Sequence, residues 1–228
     1  YLVKDFNFAK ALTNKEVKMT IAGPSTIVDS VYDLYYKDEK KLAIDVARAI
    51  REEVNALASA GCRIIQFDEP VFIRERHKFI DYGIEALEEC FKGLSGMQIE
   101  VHICRGYPNK EKDVKAEKEN YNEVIEALSK SSIDRISIED AHEHLEQDVF
   151  SSFGKKGVIL GAVDIGQERI ETAGEIQARA KEVARIINPE KIYLAPDCGL
   201  ILLKPEIAQA KLSNMAIASK NLRSELNS

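Results

Sequence analysis

Met97-Gln98-Ile99-Glu100-Val101-His102-Ile103-Cys104 is an apolar stretch that ends on two side chains able to bind a metal. Alternate residues of a strand share a face, so His102 and Cys104 point the same way at a strand end and both can reach one ion. Five other runs have the same strand-like character, at residues 17–22, 63–68, 135–139, 158–164 and 192–197. Nearly all are bounded by Gly, Pro or Asp, the residues that punctuate regular structure.

Helical patterns fill the gaps between these runs. Asp38 is a plausible N-cap for a helix carrying Leu42, Val46, Ile50, Val54 and Leu57, which Gly61 should stop. Tyr121, Val124, Ile125 and Leu128 form a second apolar stripe. Thr172 and Glu175 have the spacing of a capping box, opening a helix through Ile176, Val183 and Ile187 to the breaker Asn188-Pro189. Pro205 begins the last helix, with Ile207, Leu212, Met215 and Leu222 on its apolar face.

Regular β-α alternation implies a parallel sheet covered by helices, either doubly wound or closed into a barrel. The polar residues choose between them. Asp68, Cys104, Glu139, Asp164 and Asp197 stand at the C-terminal ends of successive strands, which meet around one mouth in a barrel. A doubly wound sheet usually carries a Gly-rich phosphate loop after its first strand, and Ala22-Gly23-Pro24-Ser25-Thr26 is not one. The expected fold is therefore an α/β, (β/α)8 TIM-type barrel, with residues 1–228 as a single domain. Only six β-α units are evident, and a full barrel of about 250 residues needs two more. Either the chain lacks an N-terminal portion, or another polypeptide completes its sheet.

The totals narrow the function. The chain has 228 residues, of which 45% are hydrophobic, enough for a sizeable core. Its 32 Lys and Arg against 38 Asp and Glu give a net charge of −6 with no basic stripe, which argues against nucleic acid as a partner. No apolar run approaches the roughly 20 residues that cross a bilayer, and the first residues lack the pattern of a secretion signal, so a cytoplasmic protein with no membrane partner is expected. Four widely spaced cysteines are too few for a disulfide framework and point to metal or catalysis instead.

Glu139 and Cys198, at the ends of two other strands, supply the rest of a donor set. Two thiolates, one imidazole and one carboxylate suit Zn²⁺, so His102, Cys104, Glu139 and Cys198 are the expected metal ligands. Such a site is nearly neutral and weakly acidifies water, but it can hold a substrate thiol as thiolate at neutral pH. The carboxylate, held least firmly, is the ligand expected to yield when substrate sulfur arrives. This chemistry favours alkyl transfer onto sulfur over hydrolysis. Asp68-Glu69-Pro70 places two acids directly after an apolar strand, a costly arrangement unless a cation such as a substrate ammonium meets them. Cys62 and Cys90 are read as structural, and His77, His142 and His144 as solvated surface residues.

These residues resemble the C-terminal catalytic barrel of cobalamin-independent methionine synthase. Five segments match in order over nearly the whole chain: residues 22–27, 60–70, 102–104, 136–139 and 196–200. The resemblance implies zinc on His102, Cys104, Glu139 and Cys198, contact of Asp68 with the amino group of homocysteine, and methyl transfer to the homocysteine thiol to give methionine. It also implies that the family's first two β-α units lie upstream of Tyr1. The departures concern the methyl donor. Ser30, Arg74 and Gly166 stand about where folate-using members carry a tryptophan, a glutamate and a catalytic histidine, and the chain has no Trp. A methylcorrinoid protein is therefore expected as donor in preference to methylfolate. Two alternatives remain at this point: a related zinc enzyme alkylating another thiol such as coenzyme M, and a zinc-binding subunit without activity of its own.

Overall fold

Six strands stand within one residue of the bounds that the apolar runs predict: β1 (Lys18–Ala22), β2 (Ile64–Asp68), β3 (Gln98–Ile103), β4 (Arg135–Ile138), β5 (Gly157–Val163) and β6 (Ile192–Pro196). They belong to a computed structural model that describes residues 2–106 and 120–226. The strands form a parallel α/β sheet in the order β1-β2-β3-β4-β5-β6. Sequence order and spatial order coincide, so the sheet has no reversal of strand order and no switch point of the doubly wound kind. Burial follows position in that order. β5 is buried at every residue, as expected of a strand covered on both faces, whereas β1 alternates between exposed and half-buried and β6 is half-buried throughout.

The chain divides into two compact units, residues 1–103 with 130–135, and residues 104–129 with 136–228. The first contains α1 (Leu2–Ala11), α2 (Pro24–Asp29), α3 (Glu39–Ser59), α4 (Val71–Arg74), α5 (Arg76–Lys78) and α6 (Ile84–Glu89). Asp38 caps α3 as predicted, accepting from the Lys41 amide at 3.1 Å, and Gly61 follows the helix at φ +93°, where a side chain would be strained. The buried face of α3 is Ala43, Ala47, Ile50, Val54 and Leu57. It therefore differs from the expected face at its N-terminal end, where two alanines replace Leu42 and Val46 and let the helix backbone lie close to its neighbours. Burying Ile50, Val54 and Leu57 contributes about 2 kcal/mol apiece.

Registers in this unit align the strand ends that matter. Ala22 pairs with Asp68, and Asp68 pairs with His102, so Asp68 and His102 sit abreast on adjacent strands. Inside β3, Glu100 shares the His102 face by parity, and it is buried. Lys18 Nζ at 3.0 Å and Arg135 Nη1 at 2.8 Å neutralise it.

The second unit contains α7 (Asn120–Ser129), α8 (Gln147–Ser151), α9 (Ala173–Val183) and α10 (Pro205–Leu226). All four predicted apolar residues of α7 are buried. The capping box of α9 is present in full, with Thr172 and Glu175 exchanging side-chain to backbone hydrogen bonds. α9 ends at Val183, short of the expected Ile187, which is buried in the turn that follows. On α10 the buried residues are Lys211 and Ala218, while Leu212 is exposed. Lys211 reverses the usual preference because its ammonium is fully satisfied: Nζ donates to Glu171 Oε1 at 3.1 Å, to Glu171 Oε2 at 2.9 Å and to the Asp164 carbonyl at 2.9 Å. This ties the loop after β5 to the last helix.

Candidate metal centre

β3 delivers His102 in its last turn of pleat and Cys104 just beyond it, and both are buried. The His102 carbonyl accepts the Glu69 amide at 2.8 Å, which fixes the backbone where the imidazole leaves it. Cys198 follows β6 and is half-buried. The ligand atoms of His102, Cys104 and Cys198 all lie within 4.8 Å of one another. Donors around a tetrahedral zinc stand about 3.6 Å apart, given bond lengths of 2.0–2.3 Å, so this group has the compactness and the soft, mixed N/S chemistry that Zn²⁺ takes. Without a cation, the Cys104 thiol is pushed far above its usual range, first by its hydrogen bond with Cys198, then by burial, with the Glu139 charge a smaller cause. A divalent ion at this place inverts that electrostatic balance and favours thiolate.

Glu139, the fourth expected ligand, is buried at the end of β4 but stands outside the three-donor group. Its Oε1 accepts Arg105 Nε at 2.7 Å, and Arg105 Nη2 reaches Glu143 Oε2 at 3.0 Å. Arg105 is a residue that sequence reasoning missed. A lone arginine directly after Cys104 carries no local pattern that marks it as buried on an acid.

Asp197 fixes the loop that carries Glu139. Its Oδ1 accepts the amides of Asp140 and Ala141, each at 2.9 Å, and Oδ2 accepts that of His142 at 2.8 Å. Burial raises Asp197 to about 7 against the lowering effect of those amides. Gly161 leaves room for it, since a Cβ there would fall on Asp197 Oδ1 and come within 2.8 Å of the Ile138 carbonyl. Asp140 in turn binds Arg179 in a fork, Oδ2 to Nε and Oδ1 to Nη2, both at 2.7 Å.

The two acids at the end of β2 differ in their surroundings. Asp68 is half-buried and accepts Gln66 Nε2 at 2.7 Å. Glu69 is instead met by the start of α2: its oxygens accept the Ser25 amide at 2.9 Å, the Thr26 amide at 2.9 Å and the Thr26 hydroxyl at 2.8 Å. Burial pushes Glu69 up to about 7 despite these bonds. Neutral dipoles at a helix terminus thus do what the sequence suggested a cation would do. The Gly23-Pro24 segment serves the same contact, because a Cβ at Gly23 would collide with the Glu69 carboxyl.

The remaining predicted residues fall as follows. Cys62 and Cys90 are free and buried, donating to the carbonyls of Ile64 at 3.3 Å and Ala86 at 3.5 Å, in keeping with packing roles. His77 is largely exposed and His144 is exposed. His142 differs from its expected isolation, because its Nδ1 lies 3.6 Å from Asp164 Oδ2. At the three positions that depart from the folate-using pattern, Ser30 Oγ donates to the Thr26 carbonyl at 2.7 Å, Arg74 pairs with Asp29 at 2.9 Å, and the Gly166 amide donates to Asp164 Oδ1 at 2.8 Å.

Comparison with known proteins agrees with the resemblance seen in the motifs. The family model for the cobalamin-independent synthase catalytic domain matches residues 1–221. A methionine synthase of Saccharolobus islandicus (strain Y.G.57.14 / Yellowstone #1) is 34% identical over 225 residues, covering 97% of this chain and 63% of that protein. A methionine synthase of Sulfurisphaera tokodaii is 34% identical over 226 residues, covering 99% of this chain and 62% of its own length. The chain thus spans less than two thirds of the curated relatives it matches. Among solved structures, a B12-independent methionine synthase from Shewanella sp. W3-18-1 in complex with selenomethionine superposes with a TM-score of 0.90 at 33% identity, covering 99% of this chain and 67% of that one. A methyltransferase from Methanosarcina mazei shares the fold at a TM-score of 0.67 and 17% identity, covering 100% of this chain and 64% of that one. With the motifs, the three converging donors and these matches together, the chain belongs to the family of the cobalamin-independent synthase catalytic domain.

Proposed function

We propose that this protein transfers a methyl group to the thiol of L-homocysteine, giving L-methionine, with Zn²⁺ held by His102, Cys104 and Cys198 and with Glu139 as the fourth ligand. The observation that carries this reading is the convergence of two thiols and an imidazole within 4.8 Å in a member of this family. Bound there, zinc would hold an incoming thiol as thiolate at neutral pH.

The other roles fall to the chain's own side chains. Asp68 sits abreast of His102 one strand away and is half-buried, so it is the acid suited to receive the homocysteine ammonium. The closeness of Asp68 and His102 in the sheet, about 5 Å between neighbouring strands, matches the short span between the amino and thiol ends of so small a substrate. In the transfer itself a C–S bond forms as the donor's bond to the methyl carbon breaks. The donor keeps that electron pair, and the thiol proton is released to solvent.

A methylcorrinoid protein suits the site better as donor than methylfolate. Ser30, Arg74 and Gly166 provide no aromatic face, no acidic contact and no proton-donating side chain, and Arg74 is engaged by Asp29. The same reading includes a (β/α)8 barrel with residues 1–228 in one domain and a cytoplasmic setting. Four cysteines, too few and too widely spaced for a disulfide framework, suit that reducing compartment, and among the described residues no helix is long and apolar enough to cross a membrane.

The test is methionine formation by the zinc-loaded, full-length protein with homocysteine and either methylcobalamin or methylfolate. The expected result is product from the corrinoid donor. Efficient turnover with the folate would overturn the donor assignment, and no product from either would overturn the proposed reaction.

A further inference from the structure

Arg105 and Glu139 form a buried ion pair beside the three-donor group, with their side chains 6% and 4% exposed. The pair is unusual in its placement. A buried arginine normally neutralises an acid that has no other task, whereas this one grips the only carboxylate among the expected ligands. Arg105 follows Cys104 directly in the chain, so the residue that competes for Glu139 is anchored to a donor of the centre itself.

Two more observations point the same way. Glu143, itself half-exposed, takes Nη2 on Oε2 at 3.0 Å and so shares the buried Arg105 with Glu139. Tyr121 on α7 is fully buried with a hydroxyl that has no hydrogen-bond partner among the described residues. A buried donor without a partner costs stability, so this hydroxyl is a group that a rearranged side chain could satisfy.

We propose that Arg105 is a positioning residue: it provides a second seat for the Glu139 carboxylate, in competition with the metal, and thereby clears the place where the substrate thiol enters. This rests on the zinc and homocysteine reading above. A displaced carboxylate left alone in a buried site would be costly, and Arg105 removes that cost by keeping it paired as an anion throughout. Glu143 modulates the exchange, because whatever share of the guanidinium it holds is unavailable to Glu139.

The experiment compares full-length wild type with Arg105→Gln, Glu143→Gln and the Arg105→Gln/Glu139→Gln double variant, using Co²⁺-substituted protein to titrate homocysteine by the sulfur-to-cobalt absorption band. Zinc release to a chromogenic chelator is measured in parallel. Arg105→Gln should weaken homocysteine binding about tenfold or more, the worth of a charge-assisted hydrogen bond, and slow zinc release. The double variant should regain most of the affinity, because no carboxylate remains to be displaced. Glu143→Gln, a half-exposed change that leaves the fold intact, should shift homocysteine binding the opposite way, tightening it. A merely structural ion pair would move both single variants in one direction, or leave thiol binding at the metal unchanged, and either result overturns the proposal. If the wild type itself shows no sulfur band, the failure lies in the homocysteine reading, and the proposal falls with it.

Discussion

Asp197 gathers three successive amides of the loop after β4 onto one carboxylate, and the residue after it is Cys198, so a single dipeptide both shapes the Glu139 loop and supplies a donor. Gly161 is the position on which that arrangement turns. Gly161→Ala should displace Asp197, costing about 1–3 kcal/mol by overpacking and loosening zinc retention with it. A variant with unchanged melting temperature and unchanged zinc content would contradict this. The donors themselves were legible in the sequence for a simple reason: His102 and Cys104 have the parity of one strand face, and Cys198 ends a separate apolar run. Arg105 was not, because nothing in a lone arginine at the start of a loop distinguishes a solvated side chain from one that is buried on an acid 34 residues away.

Short elements around the strand ends carry charge effects that reach beyond their own length. The start of α2 holds Glu69 by two amides and a hydroxyl, yet burial raises its pKa from the usual 4.5 to about 7. Between those values the folded state binds the proton that the unfolded chain has lost, so the contribution of Glu69 to folding stability is fully present below about pH 4.5 and is lost as pH rises through 7. The size of the loss is about 3 kcal/mol. Glu69→Gln should flatten this part of the pH profile in denaturant titrations, and a variant with the wild-type slope would show that Glu69 does not cause it. At α9 the reciprocal cap was readable from Thr172 and Glu175 alone, and Thr172→Ala should cost about 1 kcal/mol in the same measurement. Helix faces were less legible than helix ends. Ala43 and Ala47 are buried on α3 and Lys211 on α10, because close backbone approach favours small residues and a satisfied ion pair tolerates a charged one, neither of which a count of large apolar residues reveals.

For the molecule as a whole, strand positions were the most legible level, since runs bounded by Gly, Pro and Asp leave little freedom in where a buried parallel strand begins and ends. The regular β-α alternation implied a parallel sheet but not its strand order, which runs β1 through β6. What no local pattern could give was the meeting of residues far apart in sequence, such as the use of Glu69 by α2 or the seat of Glu139 on Arg105. Those depend on which side chain reaches a buried partner first, a property of the folded arrangement. The central claim is that His102, Cys104 and Cys198 grip one metal ion and leave it open to a thiol. Zinc X-ray absorption of the full-length protein, recorded with and without homocysteine, tests it most directly. Two sulfur neighbours, one imidazole nitrogen and one carboxylate oxygen, with a third sulfur taking the place of that oxygen on adding homocysteine, are the predicted result; a zinc shell with no protein sulfur, or one that homocysteine leaves unaltered, would contradict it.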